Sequence, residues 1–219
     1  TEIYTLSLHD ALPISMAVAR KDYIHPLFLR LWHAFHGICV LVLIGTGAQL
    51  RFPGQIHVVP NFRIAIEVHN TTGLLVTFSF FVWFFYHAIL AGSLGTLYLP
   101  RRGELSSKLR AQLRYYFGGY FHGEPNPHQP TSDNKFNPIE KPLYLLVMLG
   151  LFPVQMVTGM ALKSLSPPWK IIDMFGSIKA LIAIHWIVGC AILAFLLLHV
   201  YLSTLGVTFW SRFRTILHG

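Results

Sequence analysis

Residues 178–205 read IKALIAIHWIVGCAILAFLLLHVYLSTL. Lys179 is the only charged residue in that run. A helix rises about 1.5 Å per residue, so about 20 apolar residues cross a bilayer. This run is long enough to span and to tilt or project beyond the membrane. Two histidines interrupt it, His185 and His199, fourteen residues apart. They therefore sit about 21 Å apart along the axis and within about 40° of one helix face.

The rest of the chain is of the same kind. Of 219 residues, 53% are hydrophobic and 12% are charged. Soluble domains carry about twice that share of charge. The mean hydropathy of +0.52 agrees. This composition excludes a disordered chain, a nucleic-acid module and an ordinary soluble enzyme, although the net charge is +8. The two cysteines, Cys39 and Cys190, form no C-x-x-C. That removes iron–sulfur ligation, thiol-redox motifs and covalent c-type haem attachment. No Gly-rich phosphate loop is present.

Four apolar runs are long enough to span: 31–50, 68–90, 143–162 and 178–205. The fold class expected is an all-α integral membrane protein, a four-helix bundle with both termini on one side. Twelve Lys and Arg residues fall on the side of the termini and of the loop between spans 2 and 3. Five (Arg51, Arg63, Lys163, Lys170 and Lys179) fall on the other. The positive-inside rule places the twelve in the cytoplasm, giving an N-in/C-in topology. The pI of 9.7 then reflects topology and anionic lipid, and the partners expected are membrane lipid and no nucleic acid. Residues 104–117 place Leu105, Leu109, Leu113 and Phe117 at i, i+4 spacing beside Lys108, Arg110 and Arg114, which predicts a short interfacial helix. Residues 1–15 (TEIYTLSLHDALPIS) read as the translation of a sequencing adapter or a disordered tail, with Met16 as the expected start. Residues 16–219 are expected to form one membrane domain.

Six histidines lie in or at the ends of these spans: His33, His36, His69, His87, His185 and His199. Ionisable groups in a bilayer are costly and mark function. Two histidines on one face, one near each membrane surface, are the geometry of a helix serving two stacked haems. The topology supplies their partners. The outer level pairs His69 with His185, and the inner level pairs His33 with His199. Each of these has a small residue four positions on, at Gly37, Gly73, Gly189 and Ser203. A small residue on the same face lets a porphyrin lie against the helix. His36 has Val40 at that position and stands as the alternative to His33. His87 has Ala91 there and fits a role beside a cofactor, a quinone or a proton path, or that of a ligand. Arg51, Arg63 and Lys179 outside, and Arg30 inside, are candidate partners of haem propionates.

The residues resemble the membrane cytochrome b subunits of prokaryotic respiratory oxidoreductases. These include the formate dehydrogenase gamma subunit, the thiosulfate reductase cytochrome b subunit and, more distantly, the nickel–iron hydrogenase cytochrome b. The matching motifs are Arg30-x-x-His33 with Thr46-Gly47, His69 to Gly73, the loop signature Lys135-Phe136-Asn137-Pro138-Ile139-Glu140-Lys141, Thr158-Gly159, and His185, Gly189, His199 and Tyr201. Ala34 stands where the family usually has Trp, and Glu140 where Gln is common. The resemblance implies two haem b groups with bis-histidine ligation and a menaquinone or ubiquinone site near the inner haem, with Asn137 beside it. It also implies an iron–sulfur subunit on the outer face, a catalytic subunit of molybdopterin or hydrogenase type, and the prokaryotic inner membrane. No residue set for substrate chemistry is seen, so the expectation is an electron-transfer subunit. The alternatives are a haem-free membrane anchor or small transporter, and a stand-alone cytochrome b serving a soluble carrier.

Overall fold

A computed structural model of the chain describes residues 26–99, 107–129, 134, 136–163 and 175–205. The tail 1–15, residues 104–106 of the expected interfacial helix and Lys135 lie outside these. Among the described residues, four helices are long and apolar enough to cross a membrane. They are α1 (Leu27–Arg51), α2 (Phe62–Phe85, continued by a π-helical turn Tyr86–Leu90), α5 (Glu140–Lys163) and α6 (Ile178–Thr204). Between them lie two short helices, α3 (Leu94–Tyr98) and α4 (Leu109–Phe117).

The spans begin earlier than hydropathy predicts at α1, α2 and α5. Helix α2 starts at Phe62 because Asn61 caps it, accepting a hydrogen bond from the Ile64 amide at 2.9 Å. Its first turns carry Arg63 and Glu67, which form an exposed i, i+4 pair at 3.1 Å and lower the hydropathy of that stretch. Helix α5 contains Pro153, which removes one amide from the hydrogen-bond ladder. A π-helical turn over Leu146–Leu151 precedes it and absorbs the mismatch.

Helix α1 packs along α2, and α5 packs along α6. The core between them is built from Cys39, Val40, Val76, Phe80, Trp83, Val147, Phe152 and Ile192. The outward faces stay apolar: Phe78 is 69% exposed and Leu197 is 64% exposed. In water such surfaces would drive aggregation, whereas lipid covers them without cost. The chain is thus a multi-pass membrane protein. The α1–α2 connection is closed by buried Gln49. Its Oε1 accepts from the amides of Val58 and Val59 at 2.8 and 2.9 Å, and its Nε2 donates to the Val59 carbonyl at 3.0 Å.

At the opposite end, α4 buries Gln112, Tyr115 and Tyr116, the tyrosines packing against Leu202 and Leu205 of the α6 terminus. The expected stripe does not form the packing face. Leu113 and Phe117 point outward, 40% and 84% exposed. An exposed apolar stripe beside basic residues is the pattern of an interfacial helix.

The loop signature Asn137-Pro138-Ile139-Glu140 folds as a capping box. Asn137 Oδ1 accepts from the Ile139 and Glu140 amides at 2.8 and 2.9 Å, and Glu140 Oε2 accepts from the Asn137 amide at 3.0 Å. Asn137 Nδ2 donates to the Tyr116 hydroxyl at 2.9 Å, which ties α4 to the start of α5. Asn137→Ala is therefore expected to cost about 1–2 kcal/mol. In detergent, thermal unfolding should fall by a few degrees, about 2–4 °C per kcal/mol for a chain of this size. An unchanged midpoint would show that the cap carries no stability.

Candidate functional site

The structure brings together the two pairs that the topology selects. His69 of α2 faces His185 of α6, with ring centroids 6.3 Å apart and planes at 75°. His33 of α1 faces His199 of α6, with centroids 5.9 Å apart and planes at 50°. The first pair lies toward the α1–α2 connection and the second toward the other end of the bundle. Helix α6 contributes one ring to each.

This spacing suits a metal between the rings. Imidazole nitrogens bind a transition metal at ~2 Å. Two such rings on opposite sides of one ion place their centroids on the order of 6 Å apart.

The His69/His185 pair has a repeated support. His69 Nδ1 lies 2.9 Å from Thr46 Oγ1, and that hydroxyl donates to the Val42 carbonyl at 2.7 Å. His185 Nδ1 lies 2.9 Å from Thr158 Oγ1, which donates to the Val154 carbonyl at 2.7 Å. Each hydroxyl proton is committed to the carbonyl one turn back, so the oxygen accepts from Nδ1–H. The tautomer follows: Nε2 keeps its lone pair. Glycine follows each threonine. A Cβ on Gly47 would stand 3.3 Å from His69 Cε1, and one on Gly159 would stand 3.1 Å from His185 Cε1. The dipeptide thus does two jobs, with threonine orienting the ring and glycine giving it room.

Gln155 shares this site. Its Nε2 lies 3.2 Å from His185 Nε2, and its Oε1 is buried without a hydrogen-bond partner. The amide and a metal ion compete for one lone pair, so metal ligation by His185 requires Gln155 to turn aside.

The glycines four positions after the ligand candidates leave room. A Cβ on Gly37 would meet nothing within 4 Å, and one on Gly73 would meet only Leu43 at 4.0 Å. At Gly189 the neighbour is again Gln155 Nε2, at 3.5 Å.

The second pair is built differently. His199 stacks on Phe195, with centroids 5.7 Å apart, and its Nδ1 lies 3.4 Å from the Tyr144 hydroxyl. Arg30, one turn before His33, holds Nε and Nη1 buried without hydrogen-bond partners. A buried guanidinium calls for an anion, and a propionate at that level has the required chemistry. Of the other propionate candidates, Arg51 lies over the Phe52 and Trp186 rings at 5.3 and 5.9 Å, beside His185. Arg63 is taken by Glu67, and Lys179 is exposed. The residues present therefore fit haem between the paired rings.

His36 and His87 turn elsewhere. His36 faces α2, with Nδ1 2.9 Å from Ser79 Oγ and its ring stacked 5.0 Å from Trp32. It is not brought to His199. His87 sits in a buried cluster with Nδ1 2.7 Å from Ser93 Oγ and Nε2 3.5 Å from the Tyr98 hydroxyl. Trp83 Nε1 donates to that hydroxyl at 3.2 Å. Burial pushes the Tyr98 phenol up to about 12, so it stays neutral and can donate.

Sequence reasoning named Thr46-Gly47 and Thr158-Gly159 as motif residues without a role, and it missed Gln155. The available signal was the Thr-Gly dipeptide, present in both span 1 and span 3. Gly159→Ala is expected to displace the His185 ring and to lower bound cofactor per chain while membrane insertion is kept. Absorbance against protein content measures this, and unchanged occupancy would show that the ring shifts freely.

Comparison with known proteins identifies a family. The family described as "Prokaryotic cytochrome b561" matches residues 24–219. A protein of Escherichia coli (strain K12) named "Putative cytochrome YdhU" is 28% identical over 202 residues, covering 91% of this chain and 74% of its own. No solved structure matches the chain. The helical membrane architecture, the facing histidine pairs and a match over nearly the whole chain converge: the protein belongs to the prokaryotic cytochrome b561 family, the b-type haem membrane cytochromes of electron transfer.

Proposed function

We propose that this chain is a diheme b-type cytochrome subunit that carries electrons across the membrane to or from the quinone pool. The observation that carries the reading is the presence of two facing histidine pairs at opposite ends of one bundle, at 6.3 and 5.9 Å. Haem bound at each pair supplies a reversible one-electron couple. His69 and His185 ligate the outer group, and His33 and His199 the inner one. Gly37, Gly73 and Gly189 leave space for the macrocycles. Arg30 neutralises a propionate at the inner level, and Arg51 is placed to do so at the outer level.

The excess of Lys and Arg on the terminal side supports an N-in/C-in topology in the prokaryotic inner membrane. The inner pair then lies near the cytoplasm. A menaquinone or ubiquinone reacts there, and two electrons with two protons convert it to the quinol. The motif resemblance places Asn137 by that site, where its capping box holds the loop against Tyr116. An iron–sulfur subunit on the outer face, with a catalytic subunit of molybdopterin or hydrogenase type, exchanges electrons with the outer haem. Family membership favours this cytochrome over a haem-free anchor or transporter.

A pyridine haemochrome assay on the detergent-purified chain should give two non-covalent haem b per polypeptide. His199→Ala should remove about half, and His36→Ala should keep both. Two haems retained in His199→Ala would sink the pairing, and none in the folded wild type would sink the electron-transfer reading.

A further inference from the structure

Helix α6 supplies one ring to each histidine pair, but the two rings near the α1–α2 connection share a support of repeated design. His69 Nδ1 meets Thr46 of α1, and His185 Nδ1 meets Thr158 of α5, both at 2.9 Å. Each threonine hydroxyl donates back to its own helix at 2.7 Å. The same atoms, distances and proton directions recur on two different helices. In each case a Cβ on the following glycine would stand 3.1–3.3 Å from the ring Cε1. A threonine in a membrane helix can satisfy itself on the i−4 carbonyl. Here the oxygen's remaining lone pair is spent on a histidine of another helix in both instances.

We propose that Thr46 and Thr158 are positioning residues that jointly fix the ring orientation and tautomer of the outer haem ligands and hold that haem's midpoint potential down. This rests on the diheme reading given above. A ligating imidazole that donates its Nδ1 proton to an oxygen acceptor becomes a stronger electron donor through Nε2, and outer-shell partners of this kind fix the ring plane. A stronger donor favours the ferric state and lowers the potential. The carbonyl behind each threonine strengthens the effect, because it polarises the hydroxyl and makes its oxygen the better acceptor. Each ring is thereby tied to a helix other than its own: His69 of α2 to α1, and His185 of α6 to α5.

The test uses the haem-loaded full chain in detergent, with redox titration followed by absorbance and low-spin EPR. The variants are Thr46→Val and Thr158→Val, which keep shape and remove the hydroxyl, and Thr46→Ser and Thr158→Ser, which keep it. Each Val variant should raise the midpoint potential of one haem and shift that haem's low-spin g values. The second haem should be unmoved, and the Ser variants should match the wild type. Loss of one haem in the Val variants with retention in the Ser variants also supports the assignment. Two haems with unaltered potentials and g values in the Val variants would overturn it. So would equal shifts of both haems, or loss of haem in the Ser variants. A wild-type chain without haem would instead count against the diheme reading, so the two failures are told apart by the wild-type haem content.

Discussion

A neutral imidazole in hydrocarbon has two ring nitrogens to satisfy, one donor and one acceptor, and no water to do it. The rest of this structure depends on how that demand is met. His69 and His185 meet half of it with threonine hydroxyls on neighbouring helices, which leaves the demand of each Nε2 to be met by another partner. A transition metal is a partner suited to the acceptor nitrogens of two rings whose centroids stand 6.3 Å apart. The Gln155 amide on His185 Nε2 makes the same point from the other side: that lone pair does not stay unused.

The same constraint orders the helices. Each of the outer histidines is bound to one helix and faces another, so α1, α2, α5 and α6 are all held at one level by four side chains. Glycine makes that possible, since Gly47 and Gly159 sit where a Cβ would press on the rings. The opposite end is held by other means. Tyr116 and Tyr115 of α4 close over the end of α6, and Asn137 links Tyr116 to the first turn of α5. One end of the bundle is thus tied through its histidines, and the other through a surface helix and a capped loop. The two histidine pairs have different surroundings: Thr hydroxyls at one, Arg30 and Tyr144 at the other.

Much of this was legible in the residues. Span number follows from apolar run length, because a bilayer needs about 20 helical residues and nothing else in the composition competes. The pairing of His69 with His185 and of His33 with His199 follows from the rise per residue and the direction of each span. The choice of His33 over His36 could be argued only from Gly37 against Val40. The three-residue offset between them turns His36 onto α2, where Ser79 receives it, while Trp32 of its own helix stacks on the ring. The start of span 2 was misplaced because its capped first turns are polar: Asn61, Arg63 and Glu67 lower the hydropathy of a stretch that is nonetheless helical.

The sequence by itself determined the number of spans, the levels of the histidines and their partners, because these depend only on rise per residue, chain direction and apolar length. The tertiary structure alone decided which nitrogen of His69 and of His185 meets a threonine, since that depends on a hydroxyl from another helix. It alone brought Thr46 and Thr158 to the histidines, set Gln155 against His185 and left Nε and Nη1 of Arg30 buried without hydrogen-bond partners among the described residues. Those are contacts between helices, and a linear sequence carries spacing within a helix but not the rotation of one helix against the next.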